Sequence, residues 1–305
     1  MKRQKISLVI VTKNRSRQLL QCLSRIMIQS RLPDELIIID NNSTDGTAKF
    51  IKRLQKTSRL KIHYVLDKAV GYPFIYNRGL ITAKHSLVAF LDDDCLASID
   101  WLGKLEKAFC KRKKHLVAAV GNSQTQKKNF FSYLTHFKDF LWKKMATDDN
   151  NLISNLEILD TKNILYSKQW LIEKGIGFDQ KLVNDGFLGA CQDSDLGMQI
   201  AQAGGQAIYA DQAVVFHRDP DDLIAYLKKI INSSRAHAAY EKKWHHTYKK
   251  SKLVNIPQTV GSSLIILKNY LIDYNLSILW WPFFALGLAS SFLLVKVIKF
   301  YEKLR

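Results

Sequence analysis

The chain has 305 residues, 47% of them hydrophobic, with Lys+Arg exceeding Asp+Glu by 46 to 27 and a formal net charge of +19. That apolar content supports one large domain or two smaller ones with real cores and excludes global disorder. The four cysteines form no CxxC and no zinc-ligand spacing, so a disulfide scaffold and a zinc module are excluded and a reducing compartment is expected. The basic surplus is spread in short clusters such as residues 111–114, 242–243 and 249–250. It reads either as a solvated surface or as one that meets an anionic partner.

In chain order, the first 120 residues alternate two periods. The β-branched run at 6–11 predicts a strand, too short for a signal peptide, and 16–30 places Leu19, Leu20, Leu23, Ile26 and Met27 at helical spacing. A buried strand follows at 35–40, then turn and cap chemistry in "NNSTDGT", a helix over "AKFIKRLQK", and a strand at 61–66. Residues around 75–84 predict a helix, 86–91 a fourth strand, "WLGKLEKAFCKR" a helix and 116–121 a fifth strand. Alternating strands and helices with continuously apolar strands imply a mostly parallel sheet covered on both faces, with ligands bound beyond the carboxyl ends of its strands. Polar residues gather at those ends: Thr12, Asn14 and Arg15, then Asp40, Asn41 and Asn42, then Asp92, Asp93 and Asp94. No GxGxxG or GxxxxGK[ST] loop follows the first strand, so neither a Rossmann dinucleotide site nor a P-loop is supported.

Three adjacent carboxylates repel one another unless a cation or water compensates them, and oxygen ligands suit Mg²⁺ or Mn²⁺. Such an ion would bridge protein carboxylates to a diphosphate. A second acidic group, Asp193 and Asp195, opens a predicted helix that stops at Gly204-Gly205; it reads as simple capping or as a general base at a pocket edge. His217 ends the strand "AVVFH" and would suit the same metal.

The aromatic and basic stretch 130–145 reads as a surface helix with a core stripe or as an acceptor ledge, and 221–252 as basic helices of the membrane-surface kind with no recognisable nucleic-acid module. From Tyr274 to Val295 there are no charged residues, followed by Lys296, Lys299, Lys303 and Arg305. That length would cross a bilayer, but a single span would export the basic tail, so a helical hairpin (about 254–272 with 276–298) or shallow insertion fits the charge better.

These motifs, in this order over roughly residues 5 to 220, resemble the family 2 glycosyltransferases of the GT-A fold: "SLVIVTKNR", "IIIDNNSTDGT", "YNRGLITAKHSLVAFLDDDC", "GFLGACQDSDLGMQIAQAG" and "VVFH". The resemblance implies a GT-A Rossmann-like sheet in two halves, 1–121 for the nucleotide sugar and 122–220 for the acceptor and base, followed by a membrane-associated helical segment at 221–305. It implies that Thr12, Asn14, Arg15, Asp40 and Asn42 border the nucleotide, that Asn77, Asp92 and Asp93 approach the nucleotide sugar, that Asp94 and His217 bind Mn²⁺ or Mg²⁺, and that Asp193 is the base of an inverting hexosyl transfer. UDP is the carrier it implies first, with TDP and GDP open. The expected partners are a nucleoside diphosphate sugar, a saccharide or lipid-linked acceptor and an anionic membrane surface, with no nucleic acid. The expected place is the cytoplasmic face of a membrane, in surface polysaccharide or glycolipid synthesis. Two positions depart from the family pattern: Gln192 stands where Glu usually precedes the base, and Gln199 where Arg is usual on the following helix. They leave open a catalytically degenerate, membrane-associated binding protein on the same fold. A nucleotidyltransferase would also use such a sheet, but its Gly-rich loop is absent.

Overall fold

A computed structural model describes residues 3–110, 115–183, 191–251 and 296. The first strands and helices follow the periodicity closely: β1 (Ile6–Thr12), α1 (Ser16–Met27), β2 (Glu35–Asp40), α2 (Thr47–Thr57), β3 (Ile62–Leu66), α3 (Tyr72–Thr82) and β4 (Leu87–Asp92). Then come β5 (Cys95–Ala97), α4 (Trp101–Phe109), β6 (Leu116–Thr125), α5 (Phe130–Ala146), β7 (Leu152–Ile153), β8 (Asn163–Ser167), α6 (Lys168–Glu173), α7 (Gln192–Gln202), β9 (Gln206–His217) and α8 (Leu223–Ser251).

The nine strands form one sheet in the order β3-β2-β1-β4-β8-β6-β9-β5, with β7 beside β9. From β3 to β4 the pairing is parallel. Beyond β4 the expectation of a mostly parallel sheet fails, and the sheet is mixed. β8 enters between β4 and β6 and runs antiparallel to both, and β5 and β7 are antiparallel to β9. The reason is chain path: β8 follows a long excursion instead of a direct helical crossover, so it can run against its neighbours.

Period-two alternation sorts each strand between two apolar layers. Ile6, Leu8 and Ile10 of β1 pack with Leu19, Leu23 and Ile26 of α1, Ile51 of α2 and Trp101 of α4 on one face. Val9 packs with Ile75 and Leu80 of α3, Leu171 of α6 and Leu196 of α7 on the other. Close approach needs glycine at two helices. A Cβ on Gly79 of α3 would meet Val9 at 2.5 Å, and one on Gly197 of α7 would meet the Leu156 carbonyl oxygen at 1.9 Å. Gly197→Ala must therefore push α7 away from the chain at 156. An unfolding titration should show a loss of about 1–3 kcal/mol, the usual range for overpacking; an unchanged midpoint would contradict the contact.

The described residues fall into two units. The first carries the whole sheet, combining residues up to 124 with 146–218. The second combines 125–145 with the residues from 219 on, where the Ser132 hydroxyl donates to the Pro220 carbonyl at 2.9 Å, Phe131 packs on Tyr226, and Tyr240 and Trp244 of α8 are buried. Each unit is built from chain segments distant in sequence, and the first joins most of the two halves that the sequence reading divided at 121/122. Among the described residues no helix is long and apolar enough to cross a membrane; the uncharged stretch 274–295 lies outside them.

Candidate active site

Asp92 closes β4 with its side chain on the same sheet face as Val88 and Phe90, the face that α3 and α7 cover. The chain then turns directly into β5, whose register sets Cys95 opposite His217 of β9. This short antiparallel pairing brings the imidazole to the carboxylates: His217 Nε2 lies 3.5 Å from Asp94 Oδ1. Asp92, Asp94 and His217 each offer one ligand atom, all within 4.8 Å of one another.

Asp93 points elsewhere. It accepts from the Thr12 hydroxyl at 2.6 Å and from Arg15 Nη1 at 2.9 Å, and is only 3% exposed. Arg15 spans Asp93 and Asp94, at 3.0 Å from the latter, and remains half exposed. The three adjacent carboxylates are thus divided: one braces the turn, two face the cluster. Burial, and then the neighbouring charge of Asp94, push Asp92 up to about 7, against a pull from His217. Burial also raises Asp93, with Thr12 and Arg15 opposing. A site that crowds two carboxylates at this cost suits a divalent cation, and two carboxylates with an imidazole are a donor set that Mn²⁺ accepts.

The other residues at the strand ends arrange the loops around this cluster. Asn14 and Asn42 adopt left-handed backbone (φ 52 and 57), which Asn tolerates better than most side chains. Asn14 Oδ1 accepts from the Thr44 amide at 2.6 Å, tying the loop after β1 to the loop after β2. Asp40 is fully buried, accepting from the Ser43 amide at 2.9 Å and the Tyr64 hydroxyl at 2.7 Å; burial and then this hydrogen bond push Tyr64 up to about 12. Asn77 clamps the chain at Phe178, donating to its carbonyl at 2.7 Å and accepting from its amide at 3.0 Å. Both polar atoms of that amide are committed to backbone, a positioning job that the sequence alone did not reveal.

Asp193 lies in the first turn of α7, partly exposed. Cys191 precedes the helix in left-handed backbone (φ 74), and the Ser194 hydroxyl fixes the turn by donating to the Glu157 carbonyl at 2.7 Å. Burial, then the charge of Asp160, push Asp193 up to about 6. Asp160 acts on Asp92 as well, and it pairs with Lys162. Asp160 is therefore close enough to act electrostatically on both the metal-type cluster and the base candidate. Sequence reading missed Asp160 and Lys162 because they lie in a loop with no motif around them; their signal is position just before a strand, β8, that was itself missed. The two departures do not compensate each other by contact. Gln199 donates to Asp195 Oδ2 at 2.8 Å and to the Gly177 carbonyl at 3.0 Å, while Gln192 is buried with Oε1 lacking a hydrogen-bond partner.

The sequence profile of Glycosyl transferase family 2 matches residues 7–174, more than half of the chain. The chain belongs to the family 2 glycosyltransferases. It is similar to a chondroitin synthase of Escherichia coli, 24% identical over 251 residues that cover 70% of this chain and 35% of that protein. It is also similar to a Campylobacter jejuni GalNAc(5)-diNAcBac-PP-undecaprenol beta-1,3-glucosyltransferase, 30% identical over 161 residues, 52% of this chain and 48% of that one. The chain spans about a third of the length of the first of these relatives. Among solved structures, a mannosyltransferase of Pyrobaculum calidifontis in complex with GDP-Man and Mn²⁺ shares the fold with a TM-score of 0.64 at 19% identity, covering 96% of this chain and 81% of that one. S. aureus TarS 1-349 in complex with UDP-GlcNAc gives 0.54 at 12% identity, covering 98% and 91%.

Proposed function

We propose that this protein is a metal-dependent, inverting glycosyltransferase that moves a sugar from a nucleoside diphosphate sugar to a hydroxyl of a saccharide or lipid-linked acceptor. The observation that carries the reading is the joining of the Asp92–Asp94–His217 cluster to Asp193 through Asp160 at the carboxyl end of the sheet. Asp92, Asp94 and His217 would hold a divalent cation, which when bound supplies positive charge to the departing diphosphate. Arg15, half exposed beside Asp94, adds a fixed cation at the same edge.

Asp193 takes the proton of the acceptor hydroxyl. The acceptor oxygen then bonds to the anomeric carbon as the bond from that carbon to the diphosphate oxygen breaks, its electron pair staying on the diphosphate. One displacement of this kind inverts the anomeric configuration. The carboxylate raised to about 6 is a stronger base than an ordinary Asp yet still ionised at neutral pH. The nucleoside diphosphate sugars of the similar structures, GDP-Man and UDP-GlcNAc, make UDP and GDP the first carriers to test. The relatives support a saccharide acceptor or one carried on a polyprenyl diphosphate.

The test is turnover on a panel of UDP-, GDP- and TDP-hexoses with Mn²⁺ and either an oligosaccharide or a polyprenyl-diphosphate saccharide. Released nucleoside diphosphate and the product's anomeric configuration are the readouts. Consumption of a donor with inversion is expected; a retained configuration, or no turnover on any donor and acceptor, contradicts the reading.

The uncharged stretch 274–295 and the basic residues after it support attachment to the cytoplasmic face of a membrane, where sugar nucleotides are made. Deleting residues 253–305 should move the protein from the membrane pellet to the supernatant; a shortened chain that still pellets contradicts attachment through this segment.

A further inference from the structure

Charge on the sheet domain is segregated far beyond what the overall composition requires. No Asp or Glu occurs from Ser16 to Pro33 or from Gly46 to Leu66, the segments that carry α1 and α2. Both helices cover the same face of the sheet, burying Leu19, Cys22, Leu23 and Ile26 of α1 and Ile51 of α2 in one apolar layer. They adjoin, since the Ser58 hydroxyl just after α2 donates to Met27 Sδ at the end of α1. At 100° per residue, Lys49, Arg53 and Lys56 fall opposite Ile51 and Lys52 falls on the flank, and all four are exposed. With Ala48 they line a shallow, open surface depression on α2. Arg17 and Arg25 extend the cationic surface onto α1. Among the described residues none of these six cations has an ion-pair partner. Arg25 and Lys56 stand in the last turns of their helices and suit the macrodipole there, but Lys49 and Arg53, and Lys52 and Lys56, are like charges four residues apart, which destabilise a helix.

Two large apolar side chains lie within this field. Leu20 and Ile28 of α1 are 50% and 53% exposed. A polyanion needs only the cations, whereas a bilayer with acidic headgroups also takes up exposed aliphatic side chains. The two helices begin at the loops that carry Arg15 and Asn42, so the surface starts beside the mouth of the active site.

We infer that the outer face of α1 and α2 docks on an anionic phospholipid surface. This goes beyond the attachment proposed above, which concerns the C-terminal stretch alone, and supplies a second, electrostatic contact; stable membrane binding commonly takes two.

The experiment is flotation of the full-length protein with phosphatidylcholine vesicles and with vesicles containing phosphatidylglycerol. The readout is the ratio of the two partition coefficients, compared between wild type and variant, because the basic residues of the tail contribute equally to both proteins. The wild type should favour phosphatidylglycerol, and the preference should disappear in 0.5 M salt, where the Debye length falls to about 4 Å. The variant Lys52→Gln, Arg53→Gln, Lys56→Gln keeps helix-forming side chains and touches no residue of the active site. It should lower the ratio by about 100-fold, since each cation near such a surface changes partitioning roughly fivefold. Unchanged circular dichroism and turnover on a soluble acceptor would show that the variant is folded. A ratio near one in the wild type, or a ratio that is undiminished in the variant, overturns the inference. So does competition by heparin in the absence of any lipid preference, which would assign the face to a soluble polyanion.

Discussion

Asp193→Asn should leave nucleoside diphosphate binding intact and lower turnover by about 10²–10⁴-fold, the usual contribution of a positioned general base. The separation of binding from chemistry is the informative part, because Asp193 stands on α7 while the cluster for the diphosphate stands on β4 and β9. The pH dependence follows from the same residue. A base must be ionised, and Asp193 is raised to about 6 by burial and by Asp160. Turnover at saturating donor and metal should therefore climb tenfold per unit below about 6 and level off above it. Asp160→Asn removes the neighbouring charge and should move that rise to lower pH. Calorimetric binding of the nucleoside diphosphate, measured beside the pH–rate profile, checks both statements. A variant at position 193 that turns over normally would remove Asp193 from the chemistry.

Asp94→Ala should abolish binding of Mn²⁺, and the wild type should bind the ion more weakly as pH falls. The sign comes from Asp92. Its folded value, about 7, lies above that of an ordinary carboxylate, so its contribution to stability in the metal-free protein is fully present below about pH 4 and is lost as pH rises through about 7. A cation reverses this, because it binds the ionised form and must displace the proton that Asp92 holds at lower pH. Metal affinity should thus fall about tenfold per unit below pH 7. The stabilisation conferred by Mn²⁺ should be largest at pH 7 to 8, where the metal-free protein is weakest. Melting curves with Mn²⁺ and with a chelator across pH 5 to 8 measure both effects. Equal melting with and without the ion at pH 8 would show that the three side chains do not hold it.

Much of this site could be read from the chain before any coordinates. β1, β2 and β4 were legible because each is a short, continuously apolar run flanked by helical periodicity, and their polar ends gave the site its position. The division of labour among the three aspartates was not legible: Asp93 was expected at the nucleotide sugar, but β4 ends at Asp92 and the turn that follows sends Asp93 to Thr12 and Arg15. What stayed hidden depends on pairing between distant segments. β5 has only three residues, and nothing local marks "CLA" as a strand until β9 lies beside it. β8 was missed because its five residues show no alternation of their own and its neighbours β4 and β6 are distant in sequence, and with it went the antiparallel half of the sheet and the Asp160–Lys162 pair. Asn77 carries no sign in sequence that its partner is the backbone of Phe178, a hundred residues away. Gly197 likewise looks dispensable in a helix until the Leu156 carbonyl is placed against it.

The most direct measurement is the thermal stability of the full chain with UDP, GDP, TDP and CDP, each with Mn²⁺ and with a chelator, beside Asp94→Ala. A nucleotide at about 100 times its dissociation constant adds roughly 2.7 kcal/mol, a shift of several degrees. A nucleoside diphosphate should stabilise the wild type only when Mn²⁺ is present and should have no effect on Asp94→Ala. A folded protein that responds to none of the four, or one whose response survives both the chelator and Asp94→Ala, would contradict a metal-held diphosphate at the end of β4.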